Sequence, residues 1–126
     1  MNDVIDKSRI LIVDDEPAVI EILIFNLEEA GYSVEPAQNG IEALKKIDVF
    51  KPSLIITDIS MPDMEGIEFL RRLKKAGNSI PVIVMSGNIV GKNFLTAAEK
   101  LGARETIKKP FAVEEILELI EKVLGT

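Results

Sequence analysis

The chain of 126 residues contains neither histidine nor cysteine. Without histidine it can form no Ser/His/Asp or Cys/His triad, no histidine-ligated metal site and no phosphohistidine of its own. The lack of cysteine is no handicap, since a domain of this size buries roughly two-thirds of its unfolded surface without disulfides. Any chemistry must therefore come from carboxylates, hydroxyls, amines and the backbone.

Long apolar runs and an excess of positive charge are also missing. No apolar run is long enough to span a bilayer, and the start MNDVIDKSR lacks the apolar core of a signal peptide. The formal net charge of −6 disfavours direct binding of a nucleic acid. These features predict a cytoplasmic protein without membrane insertion, and the length predicts one domain over residues 1–126.

Short apolar runs alternate with segments whose apolar residues recur every three or four positions. The runs predict five strands, at Ile10–Val13, Tyr32–Ala37, Leu54–Thr57, Val82–Met85 and Glu105–Lys108. The other segments predict five helices, at Pro17–Ala30, Ile41–Val49, Glu65–Ala76, Phe94–Leu101 and Val113–Leu124. This alternation favours an α/β fold in which helices cover both faces of a parallel sheet. Because Pro36 cannot donate to a neighbouring strand, the second strand should lie at an edge, which fits the flavodoxin-like strand order 2-1-3-4-5.

Polar residues follow four of these strands, at the sheet edge where ligands bind in such folds. They are Asp14 and Asp15 after the first strand, Asp58 after the third, Ser86 after the fourth and Lys109 after the fifth. Each has an ordinary explanation by itself: Asp15 could cap a helix, and Lys109 could be a solvated surface lysine. Three carboxylates at one edge, however, cannot all stay ionised without a cation. Lys109 and a hard divalent ion such as Mg²⁺ would supply that charge.

A divalent ion, an amine and a hydroxyl together can neutralise the oxygens of a phosphoryl group in transfer. A carboxylate at such a site can itself act as the nucleophile and form an aspartyl phosphate. Asp58 is the best-placed candidate, because it ends the central strand alone while Asp14 and Asp15 lie opposite it. The sequence therefore predicts phosphoryl transfer to Asp58.

The segments LIVDDE, LIITDISMPDMEG, VIVMSG and KKPF, in this order, resemble the receiver domain of two-component response regulators. The resemblance covers essentially the whole chain. It implies that Asp58 is the phosphoacceptor. It also implies that Mg²⁺ or Mn²⁺ is held by four groups: the carboxylates of Asp15 and Asp58 directly, Asp14 through a water, and the backbone carbonyl of Ser60.

The same resemblance assigns roles at the other strand ends. Ser86 and Lys109 would stabilise the phosphoryl group, and the peptide bond before Pro110 would be cis. Thr106 stands where receivers often carry an aromatic residue that swings inward on activation. A smaller rearrangement than that aromatic switch is therefore expected here.

The first helix offers a surface for a phosphoryl donor, which the resemblance implies is a sensor histidine kinase or a histidine phosphotransfer protein. The periodicity predicts that its buried face consists of Ile20, Leu23, Ile24 and Leu27. This leaves three apolar docking candidates, Val19, Ile22 and Phe25, although scattered surface apolar residues are also normal. The resemblance places a downstream protein target at the fourth helix, fifth strand and fifth helix, on a monomer or a phosphorylation-dependent dimer.

Three other functions share part of this pattern. A haloacid-dehalogenase-type phosphatase needs a second acid two residues after its nucleophile, where this chain has Ser60. A flavodoxin-like flavin binder needs a phosphate loop after the first strand, where Asp14 and Asp15 would repel the phosphate. A pseudo-receiver serving only as an interaction module would not need the complete set of acids and lysine. The favoured prediction is a phosphorylation switch that catalyses only its own phosphoryl transfer and is not a turnover enzyme.

Overall fold

In the computed structural model, residues 8–59, 65–87 and 92–125 are described. Strands and helices alternate along them: β1 Arg9–Val13, α1 Pro17–Glu29, β2 Ser33–Ala37, α2 Gly40–Phe50, β3 Leu54–Asp58, α3 Glu65–Lys75, β4 Val82–Ser86, α4 Lys92–Lys100, β5 Glu105–Lys108 and α5 Val113–Leu124. Every predicted element is present, and its bounds shift by no more than two residues. The apolar periodicity thus located the elements well.

The five strands form one parallel sheet in the order β2-β1-β3-β4-β5. This is the predicted flavodoxin-like order. The central strand β3 is buried along its whole length, and its first three residues, Leu54–Ile56, form the apolar run expected between two helical layers. Pro36 lies in β2 at one edge of the sheet. Its missing N–H group therefore does not interrupt the hydrogen bonds between two interior strands.

Helices cover both faces of the sheet, so the core has two layers. One cluster joins the sheet to α2, α3 and α4 and includes Leu11 and Val13 from β1. The other joins it to α1 and α5 and includes Ile10 and Ile12 from the same strand. Successive side chains of a strand point to opposite faces, which explains this division. Within the described ranges, no helix has both the length and the apolar character of a membrane span.

The α1 helix begins at Pro17, whose fixed φ suits a first helical position. Its buried residues are Ile20, Leu23 and Leu27, with Ile24 partly buried, as the periodicity predicts. Ile22 and Phe25 are 57% and 66% exposed. Val19 differs from the prediction, because it is partly buried against the α1/α5 core layer. The apolar stripe of a core-facing helix is wide enough to include this position.

Candidate functional site

The carboxyl ends of β1, β3, β4 and β5 lie side by side and bring the predicted residues together. Asp14 follows β1, Asp58 ends β3 and Ser86 ends β4; all three are buried. The backbone N–H of Lys109 donates to the carbonyl of Ser86 at 2.7 Å, which extends the pairing of β4 and β5 by one residue. The peptide bond between Lys109 and Pro110 is cis, as predicted. Parallel pairing therefore places two acids, a hydroxyl and an amine at one edge.

The Lys109 ammonium is the centre of this site. Its Nζ atom lies 2.9 Å from Asp14 Oδ2, 3.1 Å from Asp58 Oδ2 and 3.3 Å from Glu16 Oε1. An ammonium has three N–H donors, and the geometry offers one carboxylate to each. The Lys109 side chain is 17% exposed. Lys109 is thus a largely enclosed ion-pair partner and not a solvated surface lysine.

Burial and neighbouring charges act differently on the pKa of Asp14 and on the pKa of Lys109. Burial raises the pKa of Asp14, and the hydrogen bonds from Lys109 and from the Glu16 backbone N–H offset only part of that effect. Burial also acts to lower the pKa of Lys109, but the hydrogen bonds and charges of Asp14 and Asp58 outweigh it, so the pKa of Lys109 is raised. The charged form of Lys109 is favoured and that of Asp14 disfavoured, because one ammonium gains from several carboxylates whereas Asp14 has only a share of one ammonium. The amine therefore stays charged, and the acids remain short of positive charge.

That shortage fits a divalent cation. One oxygen each from Asp14, Glu16 and Asp58 lie within 4.8 Å of one another. An all-oxygen set of carboxylates is the donor chemistry that Mg²⁺ prefers. Three carboxylates and a single ammonium leave net negative charge that such an ion would neutralise. The acidic cluster of Asp14, Glu16 and Asp58 thus fits the Mg²⁺ and phosphoaspartate site of a receiver.

Glu16 was missing from the sequence prediction, and Asp15 is not a member of this cluster. Asp15 is exposed and lines a groove between α1 and β2 with Gln38 and Glu42. It is not the N-cap of α1 either, since that residue is Glu16, which makes no side-chain cap bond. The only sequence signal for Glu16 was its place directly after the two aspartates. Direct metal coordination by Asp15 stays a prediction.

Two other predicted roles have partial structural context. Ser86 is 3% exposed at the end of β4, the strand paired with β3, which ends in Asp58; the role of Ser86 toward a phosphoryl group stays a prediction. Thr106 is partly buried in β5 beside Val84. Its switch role stays a prediction. The Ser60 carbonyl lies outside the described residues.

Gly66, near the start of α3, lies against the backbone of Asp58 and Ile59. A Cβ atom at this position would lie 2.6 Å from the carbonyl oxygen of Asp58 and 2.7 Å from Cα of Ile59. Both atoms belong to the backbone and cannot rotate away. Glycine therefore lets α3 pack directly against the carboxyl end of β3.

A groove of about 440 Å³ adjoins the acidic cluster, between α1 and the segment that joins β5 to α5. Its lining includes Glu16, Val19, Ile22, Lys109 and Phe111. Two of the three docking candidates thus border the site. The third, Phe25, lies exposed further along α1.

Comparison with family models and curated proteins finds response regulators. The sequence model of the family described as the response regulator receiver domain matches residues 10–121. The response regulator MprA of Mycobacterium sp. (strain KMS) is 38% identical over 92% of this chain and 50% of its own length. The alkaline phosphatase synthesis transcriptional regulatory protein PhoP of Bacillus subtilis (strain 168) is 34% identical over 94% of this chain and 49% of its own length. The chain spans about half the length of these curated relatives.

Solved structures show the same fold over nearly the whole chain. A CheY-like receiver domain protein from Methanospirillum hungatei JF-1 is 34% identical, covers 95% of both chains and has a TM-score of 0.88. The chemotaxis protein CheY4 of Vibrio cholerae is 29% identical, covers 94% of this chain and all of its own, and has a TM-score of 0.86. The matching family model and these similarities show that the chain belongs to the response regulator receiver domain family.

Proposed function

We propose that this receiver domain accepts a phosphoryl group on Asp58 in a Mg²⁺-dependent reaction. The donor is a phosphohistidine on a sensor histidine kinase or a histidine phosphotransfer protein, and phosphorylation changes the surface that binds a downstream protein. The observation that carries this proposal is the contact of the enclosed Lys109 ammonium with the buried Asp58 carboxylate, at 3.1 Å. A nucleophilic carboxylate with a fixed cation beside it suits an anionic transition state.

The transfer needs few protein groups. An oxygen of Asp58 attacks phosphorus, a P–O bond forms, and the P–N bond to the donor imidazole breaks with its electron pair left on nitrogen. Lys109 pairs with the phosphoryl oxygens as they approach Asp58. The buried hydroxyl of Ser86 donates to another of them. Water later hydrolyses the aspartyl phosphate. The domain is thus proposed to catalyse only its own phosphorylation and dephosphorylation and to turn over no other substrate.

Mg²⁺ is proposed to bind beside the acidic cluster, with two of its members, Asp14 and Asp58, among the ligands. Asp14, Asp15 and Asp58, with the carbonyl of Ser60, are the proposed ligands. When bound, the ion supplies positive charge that makes the approach of an anionic phosphoryl group to several carboxylates favourable. Two hydrogen bonds orient the Asp14 carboxylate in the metal-free domain: one oxygen accepts the Glu16 backbone N–H at 2.9 Å and the other accepts from Lys109.

The donor is proposed to dock on α1 beside the site. Ile22 and Phe25 are exposed apolar residues on this helix, and Val19 and Ile22 border the groove that leads to Lys109. Signal output would use α4, β5 and α5. Lys122 on α5 and Glu105 on β5 form an ion pair at 3.1 Å across that surface. We propose a cytoplasmic setting, a protein target and a monomer or a phosphorylation-dependent dimer, without direct nucleic-acid binding.

The first experiment is intact mass spectrometry after incubation with acetyl phosphate and Mg²⁺. One added phosphoryl group is expected, and it should be absent from Asp58→Asn and after chelation of the metal. Unmodified protein from both acetyl phosphate and a phosphorylated histidine phosphotransfer protein would contradict the proposal and favour a pseudo-receiver. Ile22→Asp tests docking separately: transfer from a kinase should slow while labelling by acetyl phosphate is unchanged. Normal kinase transfer in a folded Ile22→Asp protein would remove the docking proposal alone.

A further inference from the structure

Glu16 makes a contact that its position in the sequence does not require. It is the N-cap residue of α1, yet its carboxylate makes no side-chain cap bond with that helix. Its backbone N–H is held by Asp14 Oδ1 at 2.9 Å. The Glu16 side chain, 61% exposed, contacts the Lys109 ammonium at 3.3 Å. The hydrogen bond to Asp14 thus holds the Glu16 backbone, and the ion pair with Lys109 orients the Glu16 carboxylate.

The three carboxylates around Lys109 are not equivalent. Asp14 and Asp58 are buried, and their Oδ2 atoms are the ones that Lys109 contacts. A divalent cation bound near Asp14 and Asp58 would compete with the ammonium for their negative charge, and the two positive charges would also repel each other. Glu16 lies at the exposed rim of the cluster. It is the member that can keep its bond to Lys109 while Asp14 and Asp58 turn to the cation.

We infer that Glu16 is a positioning residue, which retains the Lys109 ammonium at the edge of the site when a divalent cation displaces it from Asp14 and Asp58. This inference rests on the proposed Mg²⁺ site. The contact with Glu16 becomes stronger when Lys109 is no longer shared with Asp14 and Asp58, which lowers the cost of releasing Lys109. Glu16 therefore increases Mg²⁺ affinity through Lys109. It also keeps the ammonium within reach of an arriving phosphoryl group.

The test is a Mg²⁺ titration without any phosphodonor, followed by NMR shifts of backbone amides near Asp58. For Glu16→Gln we expect the dissociation constant to rise roughly two- to fivefold, the range of a partly exposed ion pair. Glu28→Gln makes the same charge change at an exposed position further along α1 and should bind as the wild type does. Glu16→Asp keeps the charge but is one methylene shorter, so it should also weaken binding.

A double-mutant cycle with Lys109→Met shows whether Glu16 acts through Lys109. In that background, Glu16→Gln should change Mg²⁺ affinity no more than the Glu28 control does. An undiminished effect there, or wild-type affinity in both Glu16 variants, would overturn the inference. If Lys109→Met does not fold, the Glu16→Asp comparison decides alone, since wild-type affinity in that variant means that charge suffices without the contact. Failure of the wild type to bind Mg²⁺ would instead remove the proposed metal site.

Discussion

Replacing Lys109 with methionine should destabilise the metal-free domain because it leaves buried carboxylates without their cation. The methionine side chain can occupy similar space but brings no charge. Asp14 and Asp58 are enclosed, so water can compensate for the lost ammonium only in part. Removing one partner of a buried ion pair costs about 3–5 kcal/mol. Glu16 is exposed and stays hydrated without Lys109, so only two of the three carboxylates lose a partner in a buried site. We therefore expect the lower end of this range, about 3 kcal/mol near neutral pH, or a fall in Tm of roughly 10 °C.

The loss should depend on pH in a definite direction. Lys109 lowers the pKa of Asp14 by a hydrogen bond and by its charge, although burial keeps that pKa raised overall. Without Lys109 the pKa of Asp14 rises further. A carboxyl group whose folded-state pKa exceeds its unfolded value, 3.8 here, contributes stability below the unfolded pKa and loses it as pH rises through the folded pKa. The deficit of Lys109→Met should therefore be small near pH 4 and grow toward neutrality.

Urea unfolding followed by far-UV circular dichroism would measure this, since the chain has no tryptophan. The matched control is Lys108→Met, which removes the same charge from the exposed neighbouring residue. Its stability should stay close to that of the wild type. A Lys109→Met deficit that is equal at both ends of the pH range, or no larger than the control's, would refute the account of Lys109 as the counter-ion of buried acids.

Three further variants test single contacts by the same unfolding measurement. Asp14→Asn should raise stability without metal at neutral pH, because the pKa of Asp14 is raised mainly by burial; the gain should vanish near pH 4, and a loss at neutral pH would contradict it. Gly66→Ala should cost about 1–3 kcal/mol by overpacking against the backbone of Asp58, and unchanged stability would mean that α3 can shift freely. Asn39→Ala should cost about 1 kcal/mol, because Asn39 Oδ1 accepts the Glu42 N–H at the start of α2, and no loss would show that the cap is dispensable.

The fold was predictable because buried strands and buried helix faces are apolar and recur at fixed spacings along the sequence. The run from Leu54 to Ile56 is apolar on both faces because β3 is covered on both sides. Pro36 marked the edge strand for a backbone reason that no side-chain contact alters. Asp58 and Lys109 followed from the same logic, since the carboxyl ends of parallel strands meet at one edge of the sheet.

The direction of exposed side chains was not predictable in this way. Glu16 reaches Lys109, a residue 93 positions away, and no local pattern encodes that contact. Val19 is partly buried because the layer formed by α1 and α5 covers more of the helix than its apolar periodicity indicates. The need for Gly66 likewise arises from the approach of two backbones that are distant from any repeating pattern.

Because the single Lys109 ammonium contacts three carboxylates, the stability of the domain and its fit to a cation depend on the same charges. Asp14, whose pKa is raised by burial, lowers the stability of the metal-free domain at neutral pH and belongs to the acidic cluster that fits a cation. A ligand that binds only the folded state stabilises it by RT ln(1 + [L]/Kd), about 2.7 kcal/mol at one hundred times Kd. Mg²⁺ should therefore recover part of the stability that Lys109→Met loses. Variants such as Asp14→Asn should gain stability and lose this response, since the charge they remove is the one the cation recognises.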